Sequence, residues 1–180
     1  FGLMQSNSFL QQILNLKHTT HKKNVFVVWD VEHVPVDDNP LSLVDAINAV
    51  ANLFGIVSNI TCITSTSVLS AKEKQQLQEK GAVVEEVSSK KHEALDMYIL
   101  TDVLKIVLDN PEPFVLLLLT GDRDYARAVS ILQSAQNQVV FVYNKPSENS
   151  LHQIAYLSTT WRDFKDAAIK LNNSIQLTVK

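Results

Sequence analysis

From Asn24 onward, short β-branched and apolar runs alternate with longer stretches whose apolar residues recur every three to four positions. That alternation predicts βα units stacked into a mostly parallel sheet. Strands are expected at 25–29, 59–64, 82–87, 114–120 and 138–143. The first and fourth are apolar almost throughout, as central parallel strands covered on both faces must be, while the second and third are more mixed and belong nearer an edge. Between them, Leu43, Ala46, Ile47, Val50 and Leu53 mark a helix over 42–54. Ser70 with Glu73 three residues on is a capping-box signature for a helix over 70–80. Gly55 and Gly81 stand where helix stops are expected. A third helix is expected over about 94–108, ended by Asn110 and Pro111, and a fourth over about 125–135. The fold class is therefore α/β, a three-layer Rossmann-like arrangement with a mostly parallel central sheet of about five strands flanked by helices.

The ends differ in character. Phe9, Leu10, Ile13 and Leu14 form a short amphipathic stripe before the polar, basic run 18–23, so residues 1–23 read as an N-terminal helix and linker. The helix is expected to pack back on the domain, in preference to serving a dimer or partner contact. After Tyr143 a polar turn with Pro146 leads to two short helices, over 151–157 and 161–171. The main domain spans 24–172, and 173–180 are expected to be a frayed tail or an added strand.

Composition narrows the classes. A chain of 180 residues with 46% hydrophobic content suits one domain with a sizeable core. Sixteen basic against nineteen acidic residues give −3, which is neither a nucleic-acid-coating arm nor an acidic tail. A single cysteine, Cys62, rules out an internal disulfide framework and a multi-cysteine zinc finger, and suits an intracellular, reducing compartment such as cytoplasm, nucleus or organelle. Cys62 falls inside a strand pattern and reads as an inert core thiol. The longest apolar run, near 114–119, is far short of the roughly 18 residues that span a bilayer. The chain opens on Phe1 without a basic and then apolar leader, and reads as a piece of a longer protein whose targeting signals lie elsewhere.

In an open parallel sheet, ligands bind beyond the carboxyl ends of the strands. Acidic residues dominate there. The first strand ends in Asp30 with Glu32 two residues on, the fourth runs into Thr120, Gly121, Asp122, Arg123 and Asp124, and the middle helix carries Asp96 in its first turns. Four or five carboxylates converging on one crevice need a counter-charge, because like charges raise each other's pKa. A hard divalent cation meets that need, and carboxylates without cysteine suit Mg²⁺ or Mn²⁺ better than zinc. Such ions serve phosphate-bearing substrates. Setting the five acids aside turns the net −3 of the chain into +2 for the remainder, which need not repel a polyanion. Taken singly, Asp122 and Asp124 would read as helix-start residues. Asp30 resists that reading, since a carboxylate ending an apolar central strand needs a specific partner. Asp102, six residues beyond Asp96 and on another face, is a secondary candidate.

The run Val27, Val28, Trp29, Asp30, Val31, Glu32, His33, Val34, Pro35 resembles the opening FWDxENxP motif of the NYN domain, a branch of the PIN-like nuclease superfamily. Thr120, Gly121, Asp122, Arg123, Asp124, Tyr125 is similar to that family's SGDxDF, and Asp96 and Asp102 match its spaced aspartates. Tyr143, Asn144, Lys145, Ser150, Leu151 and His152 further resemble the limkain-type, meiosis-regulator branch. The resemblance covers about 24–168 with the motifs in order. It implies a PIN-like fold and a metal-dependent ribonuclease in which Asp30, Asp96, Asp122 and Asp124 hold one or two Mg²⁺ or Mn²⁺ ions. In such an enzyme water activated by the metal would attack a phosphodiester of RNA, expected to be single-stranded, and leave 5′-phosphate and 3′-hydroxyl ends, with further RNA-binding domains of a longer protein expected to add specificity. Glu32 would orient a water, Thr120 would bond to the site or a phosphate, and Arg123, Lys90 and Lys91, beside His92, are the expected phosphate contacts. Lys145 and His152 are weaker candidates. One departure stands out: His33 occupies the position where the family's motif has Asn, and would order the same loop while adding sensitivity to pH. Trp29, Tyr125 and Trp161 read first as core aromatics.

Two other readings compete. One is a catalytically weak module of the same fold that binds RNA or a protein. The other is an Asp-nucleophile phosphatase, whose first strand would lead into Asp-x-Asp, whereas this chain has Asp30, Val31, Glu32. A Gly-rich phosphate loop is absent.

Overall fold

The computed structural model describes residues 8–15, 23–36, 39–88, 92–144 and 151–178 of the 180, with the side chains at 8, 92, 123, 151, 152 and 172–178 left outside that description. In chain order the elements are α1 (Ser8–Leu14), β1 (Lys23–Asp30), α2 (Pro40–Ala51), β2 (Gly55–Ser65), α3 (Ala71–Glu79), β3 (Val83–Val87) and α4 (His92–Asp109). They continue with β4 (Val115–Leu119), a 3₁₀ turn (Arg123–Tyr125), α5 (Ala126–Ser134), β5 (Gln138–Tyr143), α6 (Leu151–Ile154), β6 (Leu157–Thr160) and α7 (Trp161–Thr178).

The sheet has six strands in the order β3-β2-β1-β4-β5-β6, every neighbouring pair parallel. The two most apolar strands, β1 and β4, lie side by side at the centre, and the mixed β3 forms an edge next to β2. This order places the switch in winding direction between β1 and β4, the position at which sheets of this class hold a ligand crevice beyond the strand ends.

Two cores result from the period-two alternation of strand side chains. Val25, Val27 and Trp29 of β1 with Val115, Leu117 and Leu119 of β4 face α1, α2, α3 and α7. Phe26, Val28, Leu116 and Leu118 face α4 and α5. Phe9 and Ile13 of α1 are buried, with the Phe9 ring 5.9 Å from Phe164 of α7, so the amphipathic stripe packs back on the domain. Trp161 is buried between Trp29 and Phe164, at 5.8 and 5.7 Å between ring centroids, and does not present a face for base stacking. Cys62 lies in the same core, where burial pushes its thiol up to about 12, so it stays protonated and inert.

Local signals account for several boundaries. Asn39 caps α2 by accepting from the Ser42 N–H, with Pro40 in the first turn. The Ser70 and Glu73 capping box forms as the sequence predicts. Gly81, at φ +85°, ends α3 with its N–H on the Gln78 carbonyl and the next N–H on Leu77.

A sixth strand, β6, stands where the sequence predicts only the last residue of a helix over 151–157 and the link to the next helix at 161. Its four residues Leu157, Ser158, Thr159 and Thr160 carry too short and polar a pattern to signal a strand, and only pairing with the open edge of β5 makes them one. Helix α6 is a single turn. β2 begins four residues before the expected start, because Ser58 is an extra residue that breaks the alternation between the Val25/Val57 and Phe26/Asn59 pairs. α7 runs on to Thr178 where a frayed tail or strand was expected; the helical period of Trp161, Phe164, Ala168 and Leu171 reaches Ile175.

Gly55 is not a helix stop. It opens β2, and a Cβ there would lie 2.0 Å from the Lys23 carbonyl oxygen of the paired strand. Gly55→Ala is therefore expected to destabilise the fold by about 2–4 kcal/mol, read as a lower urea midpoint, while Gly81→Asn, a residue that tolerates positive φ, costs less.

Candidate active site

Asp30 continues the alternation of Phe26 and Val28, and Thr120, one residue past β4, continues that of Leu116 and Leu118. Both therefore turn to the face covered by α4 and α5, at the carboxyl end of the sheet. Asp96, one residue after the buried Leu95 on α4, and Asp122, in the loop before the 3₁₀ turn, come close enough to Asp30 for the three charges to act on the same groups.

Asp30 is fully buried. An isolated carboxylate there would be costly, and the chain surrounds it with donors. Oδ1 accepts the backbone N–H groups of Glu32 and His33 at 3.2 and 3.3 Å, which bends 31–34 into a turn around it. Oδ2 accepts the Thr120 hydroxyl at 2.8 Å and the His33 Nδ1–H at 2.6 Å. The turn is closed by the Val34 N–H on the Asp30 carbonyl and by the Trp29 indole N–H on the Val34 carbonyl at 2.6 Å. Thr120 extends the network, because its oxygen accepts the Asp122 N–H at 3.2 Å. Asp122 Oδ1 in turn accepts the Asp124 N–H at 2.8 Å.

The hydrogen bond to Asp30 raises the His33 pKa from 6.5 to about 9, against the opposing effect of burial, and the charges of Asp30, Asp122 and Asp96 add to the rise. Burial raises the Asp96 pKa; the Tyr125 hydroxyl, which donates to Asp96 Oδ1 at 3.0 Å, opposes that, and Asp122 and Asp30 push it up further. Burial, with Asp96 next, drives the Tyr125 phenol upward, so it stays a donor.

The crevice thus gathers Asp30, Asp96, Asp122, His33 and Thr120, all expected from the sequence. It adds Tyr125, for which the sequence predicts a core aromatic. The ring is buried, yet its hydroxyl holds Asp96; a buried Tyr needs a partner for that group, which was the available signal. Glu32 turns instead to the end of β2, where Oε1 accepts the Ser65 N–H at 3.0 Å. Asp124 is exposed, and it is not among the charges acting on Asp96, His33 or Tyr125. Asp102 is half-buried beside Glu85, and burial with that like charge raises its pKa. Lys90, Lys91 and Lys145 lie outside the described residues, as do the side chains of His92, Arg123 and His152.

Among the described residues, no group of three or more His, Cys, Asp or Glu side chains is placed to share one ion. Asp96 and Asp122 each keep one carboxylate oxygen that no described donor reaches. That suits a hard ion such as Mg²⁺, which keeps several waters and binds through one or two carboxylates together with substrate phosphate.

A three-layer α/β domain with buried and half-buried aspartates at the switch point of a parallel sheet defines the class. The family model of the NYN domain matches residues 24–171, and the chain belongs to that family, within the PIN-like nuclease superfamily. Domains of this superfamily are generally nucleases and typically use divalent metals. No curated protein matches the chain.

Two outcomes follow for stability. His33 binds its proton more tightly in the folded than in the unfolded chain, so its contribution is complete below pH 6.5 and disappears as pH rises through about 9. Urea midpoints of the wild type should fall across that window, and those of His33→Asn should not. Asp96→Asn removes a carboxylate whose charged form the fold disfavours, and is expected to raise the thermal midpoint at pH 7.

Proposed function

We propose that this domain is a divalent-metal-dependent ribonuclease acting on RNA, single-stranded for preference, and that its nearest kin are of the limkain-type branch. The observation that carries the reading is the convergence of Asp30, Asp96 and Asp122 on one crevice beyond β1 and β4, in a chain of a nuclease superfamily. Asp96 and Asp122 would hold Mg²⁺ or Mn²⁺. When bound, such an ion supplies Lewis-acid polarisation of the phosphodiester and a more acidic water.

The remaining residues prepare that place. Tyr125 fixes the Asp96 carboxylate through Oδ1, and no described donor reaches the other oxygen. Thr120 ties the Asp122 backbone to Asp30, so the two central strand ends hold a common geometry. Arg123, Lys90 and Lys91 would grip flanking phosphates, in a domain that carries little net charge elsewhere. Asp124 and Glu32 act at most on the loop and on water, given their places at its rim and at the end of β2. No helix among the described residues is long and apolar enough to cross a membrane.

A second reading is favoured by one observation: the Asp30 acceptors are all engaged by the chain itself, which suits a module that binds RNA with little turnover. End-labelled single-stranded RNA incubated with the domain in Mn²⁺, Mg²⁺ or EDTA separates the two. Cleavage that needs metal, spares duplex DNA and falls on the order of a hundredfold in Asp122→Asn supports the nuclease. RNA bound but left intact by the wild type supports the module.

A further inference from the structure

His33 is the position at which the opening motif departs from its family's pattern, and it is also the residue that closes Asp30. A carboxylate offers about four acceptor positions. At Asp30 two are filled by backbone N–H groups of the turn and a third by Thr120, which is itself tied to Asp122. These three belong to the frame of the fold. The fourth is filled by the His33 ring at 2.6 Å, on a side chain that is 43% exposed to solvent. The ring lies against Gly121, where a Cβ would be in ordinary van der Waals contact with the His33 Cβ at 3.4 Å and Cδ2 at 3.8 Å. We propose that the His33 ring occupies the open side of the Asp30 carboxylate and thereby weakens the affinity of this crevice for a divalent ion. The proposal rests on reading the crevice as a divalent-ion site.

The geometry gives the reason. With the ring in place, Asp30 has no acceptor position left for an ion or for an ion's water, and the ion is left with Asp96 and Asp122. An asparagine at this position carries an amide that can turn its oxygen to the crevice, whereas the held Nδ1–H only donates. His33 is thus a positioning residue, acting through Asp30.

The test is Mn²⁺ binding to the purified chain by isothermal titration calorimetry, without RNA, for wild type, His33→Ala and His33→Asn. Circular dichroism would confirm the fold of each. Freeing an acceptor held by one charge-assisted hydrogen bond is expected to let both variants bind Mn²⁺ about tenfold more tightly than wild type, and Asp96→Asn on either background to remove the gain. Equal affinities, or no binding in any protein, overturn the proposal. If neither variant folds, the wild type decides: a millimolar dissociation constant supports the proposal and a micromolar one overturns it. RNA cleavage is read separately. A wild type that cuts RNA while His33→Ala leaves Mn²⁺ affinity unchanged removes this inference and keeps the nuclease. Tighter Mn²⁺ binding in His33→Ala, with no cleavage by either protein, does the reverse.

Discussion

A carboxylate with no solvent exposure at the end of the central strand sets the terms for the surrounding structure. Burying Asp30 is tolerable only if its acceptor positions are met, and meeting them recruits the turn after β1, the residue after β4 and the ring of His33. Those bonds hold the ends of the two central strands together at the one place in the sheet where the winding reverses. Asp122 inherits its position from this arrangement through Thr120, and Asp96 approaches from α4 under the direction of Tyr125. The crevice is therefore an outgrowth of the solution to one buried charge.

The same arrangement sets like charges against one another. Asp96 is pushed toward its neutral form by burial and by its two acidic neighbours, while His33 is held in its charged form by the same carboxylates. A fold selected for stability alone has no use for such a conflict, and sites that bind or transform a ligand are where it is found. Electrostatic strain at the crevice and an apolar, well-packed sheet beneath it are complementary, because the rigid strands stop the carboxylates from moving apart.

Much of the architecture was legible because it depends on local pattern. The uninterrupted apolar character of β1 and β4 marked them as central, the Ser70 and Glu73 pair marked the start of α3, and Gly81 marked its end. The gathering of Asp30, Thr120, Asp122 and Asp96 beyond the central strands was legible from their places at the strand ends, in the loops and on the helix that the sheet order brings together. Features without a local signature were missed. β6 exists only because β5 leaves an edge for it, Gly55 matters only because the Lys23 carbonyl passes so close, and the hydroxyl of Tyr125 could be assigned only once Asp96 was beside it.

By itself, the sequence determined the α/β class, the central strands, the family motifs and the residue types that meet at their ends, since hydrophobic period and turn chemistry act over a few neighbouring residues. Tertiary structure decided which of the acids share a crevice. Glu32 and Asp124 lie only two residues beyond Asp30 and Asp122 in sequence, yet one carboxylate caps β2 and the other stands in solvent. The difference comes from strand parity, loop curvature and the competition of backbone N–H groups for each oxygen, which exist only when distant segments are folded together.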